Sequence, residues 1–339
     1  MKLLIVTQKV DKNDPILGFF HRWIEEFATH CEQVIVVTQF AGEYSLPFNV
    51  AVLSLGKEKG ASKLGQIVRF WRLQWKMRKS YDVVFVHMTP VWVVLGARLW
   101  KILKKPTYLW YEARGGGLAL PRALSSVRTV FGATEYGLPQ KSEKHVIMGH
   151  GIDTDQFAMG VWARDPNLVL AVGRITHTKR LDIIIDAFAA LPSSSKLIIA
   201  GGTITQSDQV EWQKLKKRME DLHLQDRVEV QWVHRDEMPK LLGRAGLMLH
   251  ACEGGLDKAV LEAMSCGCPI ISCSIAARDV LPIECIALPD AMKQKALGLL
   301  ALQPAAKQEL GNRLRDIVVL DHSLPKLVNN LCITMSKQS

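Results

Sequence analysis

Two clusters in the second half of the chain combine residue types and spacings that can do chemistry. In the first, Ala171-Val172-Gly173-Arg174 closes an apolar run, and Lys179-Arg180 opens a helical pattern with the apolar stripe Leu181, Ile184, Ile185 and Phe188. Cations gain nothing from the dipole of a helix N-terminus, which favours an anion. A diphosphate held by Arg174 and Lys179 would account for them; a solvated basic loop is the alternative. In the second cluster, Cys252-Glu253-Gly254-Gly255-Leu256-Asp257-Lys258 leads into a short helical run that ends at Gly267-Cys268-Pro269. Asp257 can cap that helix, and the Gly-x-Pro sequence stops it. Glu262 lies among Val260, Leu261, Ala263 and Met264. If it is buried, its carboxylate needs hydrogen-bond partners, which sugar hydroxyls would supply. If it is on the outer face, it is an ordinary exposed glutamate.

The first half offers less. The loop expected over 8–18, QKVDKNDPILG, lacks the G-x-G-x-x-G that lets a pyrophosphate approach the backbone, which disfavours NAD or FAD. Gly18, just before Phe19, either lets a ligand reach the following helix or is a simple loop glycine. His87 ends a strand-like run and is either a cleft residue or polar packing. Asp153-Thr154-Asp155 imitates a metal-binding D-x-D but sits in a linker without other clustered carboxylates, so no metal site is expected. The seven cysteines form no C-x-x-C pair and read as reduced thiols of a cytoplasmic protein, not as zinc ligands.

These residues need a frame to position them. Val- and Ile-rich runs at 3–7, 33–38, 50–53, 82–87 and 107–111 alternate with helical spacing at 19–31, 63–80 and 90–104. The pattern restarts with strands at 168–172, 196–200, 228–232, 246–250 and 269–272, and helices at 181–190, 208–222, 236–244 and 258–266. Such alternation means parallel sheets covered by helices. With 339 residues there is room for two domains. The expected fold is α/β: two Rossmann-like, doubly wound domains over 1–148 and 149–320 that face a cleft, the default ligand site. A composition of 48% hydrophobic and 22% charged residues excludes a disordered or fibrous chain.

The arrangement G-R-x-x-x-x-K, followed some 80 residues later by E-G and then L-E-A-M-x-C-G-x-P-I-I, resembles the group 1, or family 4, glycosyltransferases of GT-B fold. His150-Gly151-Ile152-Asp153 is similar to the family's N-G-[VI]-D between domains. The resemblance implies a retaining, metal-independent glycosyltransferase with a nucleotide-diphosphate sugar as co-substrate and no other cofactor. Arg174 and Lys179 would hold the donor diphosphate, with Gly173 beside them. Gly254, Gly255 and Leu256 would line the sugar–phosphate site, and Glu262 would bind the ribose. Gly18 and Phe19 would match the first-domain glycine loop, and 321–339 would cross back to the first domain. Two departures stand out. Glu253 is one residue out of register with the family's first glutamate, so either its loop shifts or its role is lost. The His expected near Trp110-Tyr111-Glu112-Ala113-Arg114 is missing. Lys258, where relatives carry a small or apolar residue, would add charge near the phosphates.

Charge distribution suggests the acceptor side. Residues 1–150 hold 21 basic and 11 acidic residues, a net of +10, and the remainder is neutral. The stretch KLGQIVRFWRLQWKMRK, from Lys63 to Lys79, has six cations and no acid. On a helix it carries the stripe Leu64, Ile67, Val68, Trp71 and Trp75 beside the ridge Arg69, Arg72, Lys76 and Lys79. Either the stripe packs on the sheet, or it and the ridge meet an anionic membrane surface; Lys101, Lys104, Lys105, Arg114, Arg122 and Arg128 add to the same charge. The expectation is a cytoplasmic protein, peripheral on the inner face of the membrane, with a glycan or lipid-linked acceptor. No nucleic-acid module is apparent, and no signal peptide or membrane span is read. The competing functions are a nucleotide-sugar epimerase, with Glu112 and His87 as its weak acid/base candidates, and a catalytically silent sugar-nucleotide or glycan binder.

Overall fold

The computed structural model describes residues 1–14, 16–113, 115–160 and 162–337; Arg114 lies outside them. The chain divides into two compact units, Met1–Gly151 with the residues from Leu324 onward, and Ile152–Ser323.

The first unit is built from β1 (Lys2–Val10), α1 (Phe19–His30), β2 (Gln33–Ala41), β3 (Val50–Ser54), α2 (Lys63–Lys76), β4 (Val83–His87), α3 (Pro90–Ile102), β5 (Thr107–Trp110), α4 (Ala119–Ser126), β6 (Thr129–Gly132) and β7 (His145–Ile147). Its seven parallel strands run in the order β3-β2-β1-β4-β5-β6-β7. Leu3, Leu4, Ile5 and Val6 are all fully buried, as expected of a strand covered on both faces. β1 continues to Val10, so the connection to α1 is shorter than the sequence suggests. β6 and β7, of four and three residues, are too short to show a period, and the eight-residue α4 is a further element beyond those expected from the sequence.

The second unit comprises β8 (Asp165–Val172), α5 (Leu181–Ala189), β9 (Lys196–Ala200), α6 (Gln206–Asp221), β10 (Val228–Gln231), α7 (Met238–Arg244), β11 (Ala245–His250), α8 (Lys258–Ser265), β12 (Ile270–Ser272), α9 (Met292–Ala301) and α10 (Pro304–Asp321). Its parallel strands run β10-β9-β8-β11-β12. The order reverses beside β8 and β11, and it is outside the carboxyl ends of such strands that open α/β sheets place ligands.

The last helix, α11 (Leu324–Lys337), belongs to the first unit. It buries Leu327, Val328, Leu331 and Met335 in one core with Phe20, Trp23 and Phe27 of α1. The opposite face of the sheet is covered by α2, α3 and α4, with Phe70, Trp92, Trp100 and Leu120 in its core.

α2 tucks only Ile67 of the apolar stripe partly against the core. Gln66, Phe70 and Gln74 face inward, while Leu64, Val68, Trp71 and Trp75 are exposed. The reason is a buried polar network. Gln74 Oε1 accepts from Tyr81 Oη at 3.0 Å and from Trp100 Nε1 at 3.1 Å, and Gln66 Nε2 donates to the Ala61 carbonyl. Burial pushes the Tyr81 phenol up to about 12, so it remains a donor. Gln74→Leu would leave two buried donors without an acceptor. A stability loss of about 2–4 kcal/mol is expected in urea denaturation, and a loss below about 0.5 kcal/mol would remove the network as the reason for the helix's orientation.

Candidate functional site

In the second unit both sequence clusters meet at the carboxyl ends of β8 and β11. Gly173 follows β8 directly with φ 130°, and a Cβ there would lie 2.7 Å from Lys179 Cε. The glycine therefore makes room for the lysine stem. The Lys179 ammonium bonds Asp257 Oδ2, and Asp257 Oδ1 accepts the Ala259 amide to cap α8. His250, at the end of β11, places Nε2 3.6 Å from the same Asp257 oxygen. Burial works against both charges of the Lys179–Asp257 pair, but their mutual attraction outweighs it. Asp257, aided by His250, is held well below the usual carboxylate range, and Lys179 is lifted above its ordinary value.

Arg174 follows Gly173 with its side chain 43% exposed and Nε 3.4 Å from Asp208 Oδ2. Asp208 is fixed by a capping box, in which its carboxylate accepts from the Ile204 and Thr205 amides and its own amide bonds Thr205 Oγ1.

Glu262 is buried on α8, and its Oε1 accepts from Arg235 Nη1 at 3.2 Å. Burial raises its pKa against the opposing charges of Arg235 and Lys258. The Arg235 guanidinium also lies over the Phe157 ring, 5.0 Å from its centroid. Glu253 is bound by Arg180 Nη1 at 2.5 Å, and Arg180 is in turn held by Asp182. The Glu253 amide donates to the Thr178 carbonyl, so the 252–257 loop and the loop before α5 are stitched together. Gly254 and Gly255 are half-buried between Glu253 and the buried Leu256, and Lys258 is the first residue of α8.

The structure thus gathers Gly173, Arg174, Lys179, Glu253, Gly254, Gly255, Leu256, Lys258 and Glu262 around one end of one sheet. Asp208, Arg235 and His250 are partners that no sequence motif singles out, and Arg180 stands out in the sequence only for its charge. Among the described residues, His250, Cys252 and Asp257 form a group whose ligand atoms lie within 4.8 Å of one another, close enough to hold a cation. The Lys179 ammonium already bonds Asp257 there. Asp153 closes a local turn, its Oδ1 accepting the amides of Asp155 and Gln156.

The remaining candidates lie in the first unit. Gly18 is the residue before α1, and a Cβ on it would come within 2.5 Å of the Asp14 carbonyl. Asp14 also accepts from the Leu17 and Ile16 amides, so the loop folds back on itself. His87 is 1% exposed, stacked 3.8 Å from the Phe20 ring, edge-on to Phe19, and in hydrogen-bond contact with Thr7 Oγ1. Glu112 accepts from the Ala133 amide and the Thr134 hydroxyl, bracing the end of β6.

Two parallel-sheet α/β units match the fold of solved GT-B glycosyltransferase structures. HepE from Anabaena, in crystals with UDP, aligns with a TM-score of 0.77 at 16% identity over 99% of this chain and 100% of that one. Sucrose-phosphate synthase from Thermosynechococcus elongatus aligns with a TM-score of 0.80 at 15% identity, covering 100% and 99%. A glycosyltransferase from Rickettsia africae gives 0.75 at 12% identity, covering all of both chains. Residues 153–277 match the family of glycosyl transferases group 1. The resemblance drawn from the sequence motifs is borne out, and the match contains both motif clusters. No curated protein sequence matches the chain.

Proposed function

We propose that the protein transfers a sugar from a nucleotide-diphosphate sugar to the hydroxyl of a glycan or lipid-linked acceptor, with retention and without a metal. The observation that carries this reading is the convergence of Arg174, Lys179 and the capped N-terminus of α8 at the carboxyl ends of β8 and β11. As the glycosidic bond breaks, the leaving diphosphate gains negative charge. Arg174, Lys179 and Lys258 would stabilise it, each group contributing about 3–4 kcal/mol if fully preorganised. Asp257 keeps Lys179 protonated and aimed, so the ammonium takes the part of a cation. Glu262 binds Arg235 through one oxygen, and its other oxygen would accept from the ribose hydroxyls. The tie between Glu253 and Arg180 supports Glu253 as a wall of the loop. It also favours the second reading, a silent sugar-nucleotide binder. Glu112 is engaged by the Ala133 amide and the Thr134 hydroxyl, which weakens the epimerase reading.

UDP sugars are the first donors to try, because HepE forms crystals with UDP and UDP-glucose. UDP at about 100 times its dissociation constant should add about 2.7 kcal/mol of stability, seen as a raised melting temperature. The shift should persist in EDTA and vanish in Glu262→Ala. If no nucleoside diphosphate stabilises the folded protein, the donor reading fails. Stabilisation by a nucleotide sugar that is neither hydrolysed nor transferred would select the silent binder.

A further inference from the structure

We infer that the outer face of α2, with the ends of α3 and α4, is a docking surface for an anionic lipid bilayer. Leu64, Trp71 and Trp75 are 70%, 49% and 60% exposed along α2, and Ile102, the last residue of α3, is 76% exposed. Arg72, Lys76 and Lys79 alternate with them in the sequence and are exposed as well. The two helices form one continuous face. Trp71 Nε1 donates to the Leu95 carbonyl of α3 at 3.1 Å, and Lys105 Nζ bonds the Tyr81 carbonyl between the loops that follow α2 and α3. Where α3 and α4 end, an open pocket of about 610 Å³ is lined by Arg98, Lys101, Lys104, Lys105, Arg128 and Ser125, among others, with no acid.

The charge complement is one-sided. Residues 59–134 hold 14 cations and two acids, Asp82 and Glu112. Asp82 accepts the Lys2 amide and Glu112 braces β6, and two carboxylates leave a large positive excess over this stretch. A second copy of the chain would bring the same positive charge against it. RNA would use the cations and the indoles but not Leu64, Val68 and Ile102. A bilayer uses all of them: cations reach the phosphates, indoles sit at headgroup depth, and aliphatic side chains enter the acyl boundary. Among the described residues no helix is long and apolar enough to cross a membrane.

The docking surface is independent of the donor site, and its test reads binding alone. The full chain is sedimented with phosphatidylcholine vesicles and with vesicles in which about a third of the lipid is phosphatidylglycerol. Binding to the anionic vesicles should be stronger and should fall steeply between about 0.1 M and 1 M salt. Arg98→Gln/Lys101→Gln/Lys104→Gln should weaken it on the order of 100-fold, and Trp75→Ser about ten-fold. Both variants should keep the wild-type melting temperature and its shift with UDP. The pair Lys293→Gln/Lys295→Gln, in the other unit, should bind as wild type. Equal binding to both vesicle types, no loss in either test variant, or preference for an RNA oligonucleotide over anionic vesicles would overturn the proposal.

Discussion

Lys179→Ala is expected to lower turnover of the selected nucleotide sugar by about 100- to 1000-fold, the usual effect of removing one preorganised charge-stabilising donor. It should also destabilise the fold by about 3 kcal/mol, because Asp257 would keep a largely buried carboxylate without its ammonium partner. The two effects are separable. Lys179→Ala/Asp257→Ala removes the orphaned charge, so much of the stability should return while turnover stays low. The acid limb of stability gives a further readout. Asp257 is held below its ordinary pKa, so its contribution is present above the usual carboxylate range and is lost as pH falls through the depressed value. That dependence should shrink in Lys179→Ala. Recovery of turnover together with stability in the double variant would show that Lys179 is a structural residue and not a donor ligand.

Arg235→Met should destabilise the protein by about 3 kcal/mol at pH 8 and by much less at pH 5. Methionine keeps apolar contact with Phe157 but leaves the Glu262 carboxylate buried without its main opposing charge. The sign follows from the direction of the shift. The folded-state pKa of Glu262 is already raised by burial, and removing Arg235 raises it further. The protonated acid is tolerated, so the cost is small below the ordinary glutamate value and grows as pH rises through the folded one. Urea denaturation at the two pH values measures the difference. An equal loss at both would mean that Arg235 acts through packing on Phe157 and not through its charge. Glu262→Gln added to Arg235→Met should remove the pH dependence.

The legible part of the site was local. Gly173, Arg174 and Lys179 are close in sequence, and Asp257 caps the short helix that carries Lys258 and Glu262, so strand–loop–helix spacing put both clusters at strand-to-helix junctions and the family resemblance supplied their expected roles. The pairings were not legible. Arg180 and Glu253 are 73 residues apart, and Arg235 and Glu262 are 27 apart, distances over which no period carries information. The same limit explains α2. Its hydrophobic stripe is real, but Gln74 is drawn inward by Tyr81 and Trp100, and Trp100 lies 26 residues away on another helix. β6 and β7 were missed because runs of four and three residues are too short to show a period.

By itself the sequence determined the α/β class, the restart of the pattern in the second half, the basic character of the first half and the two motif clusters. Each of these is written in neighbouring residues through backbone periodicity and charge. The tertiary structure decided which carboxylate holds which cation, which face of α2 meets water, and that α11 completes the first unit. Those outcomes depend on desolvation and on partners brought together by the fold, and a buried charge or amide settles only where its partner is already in place.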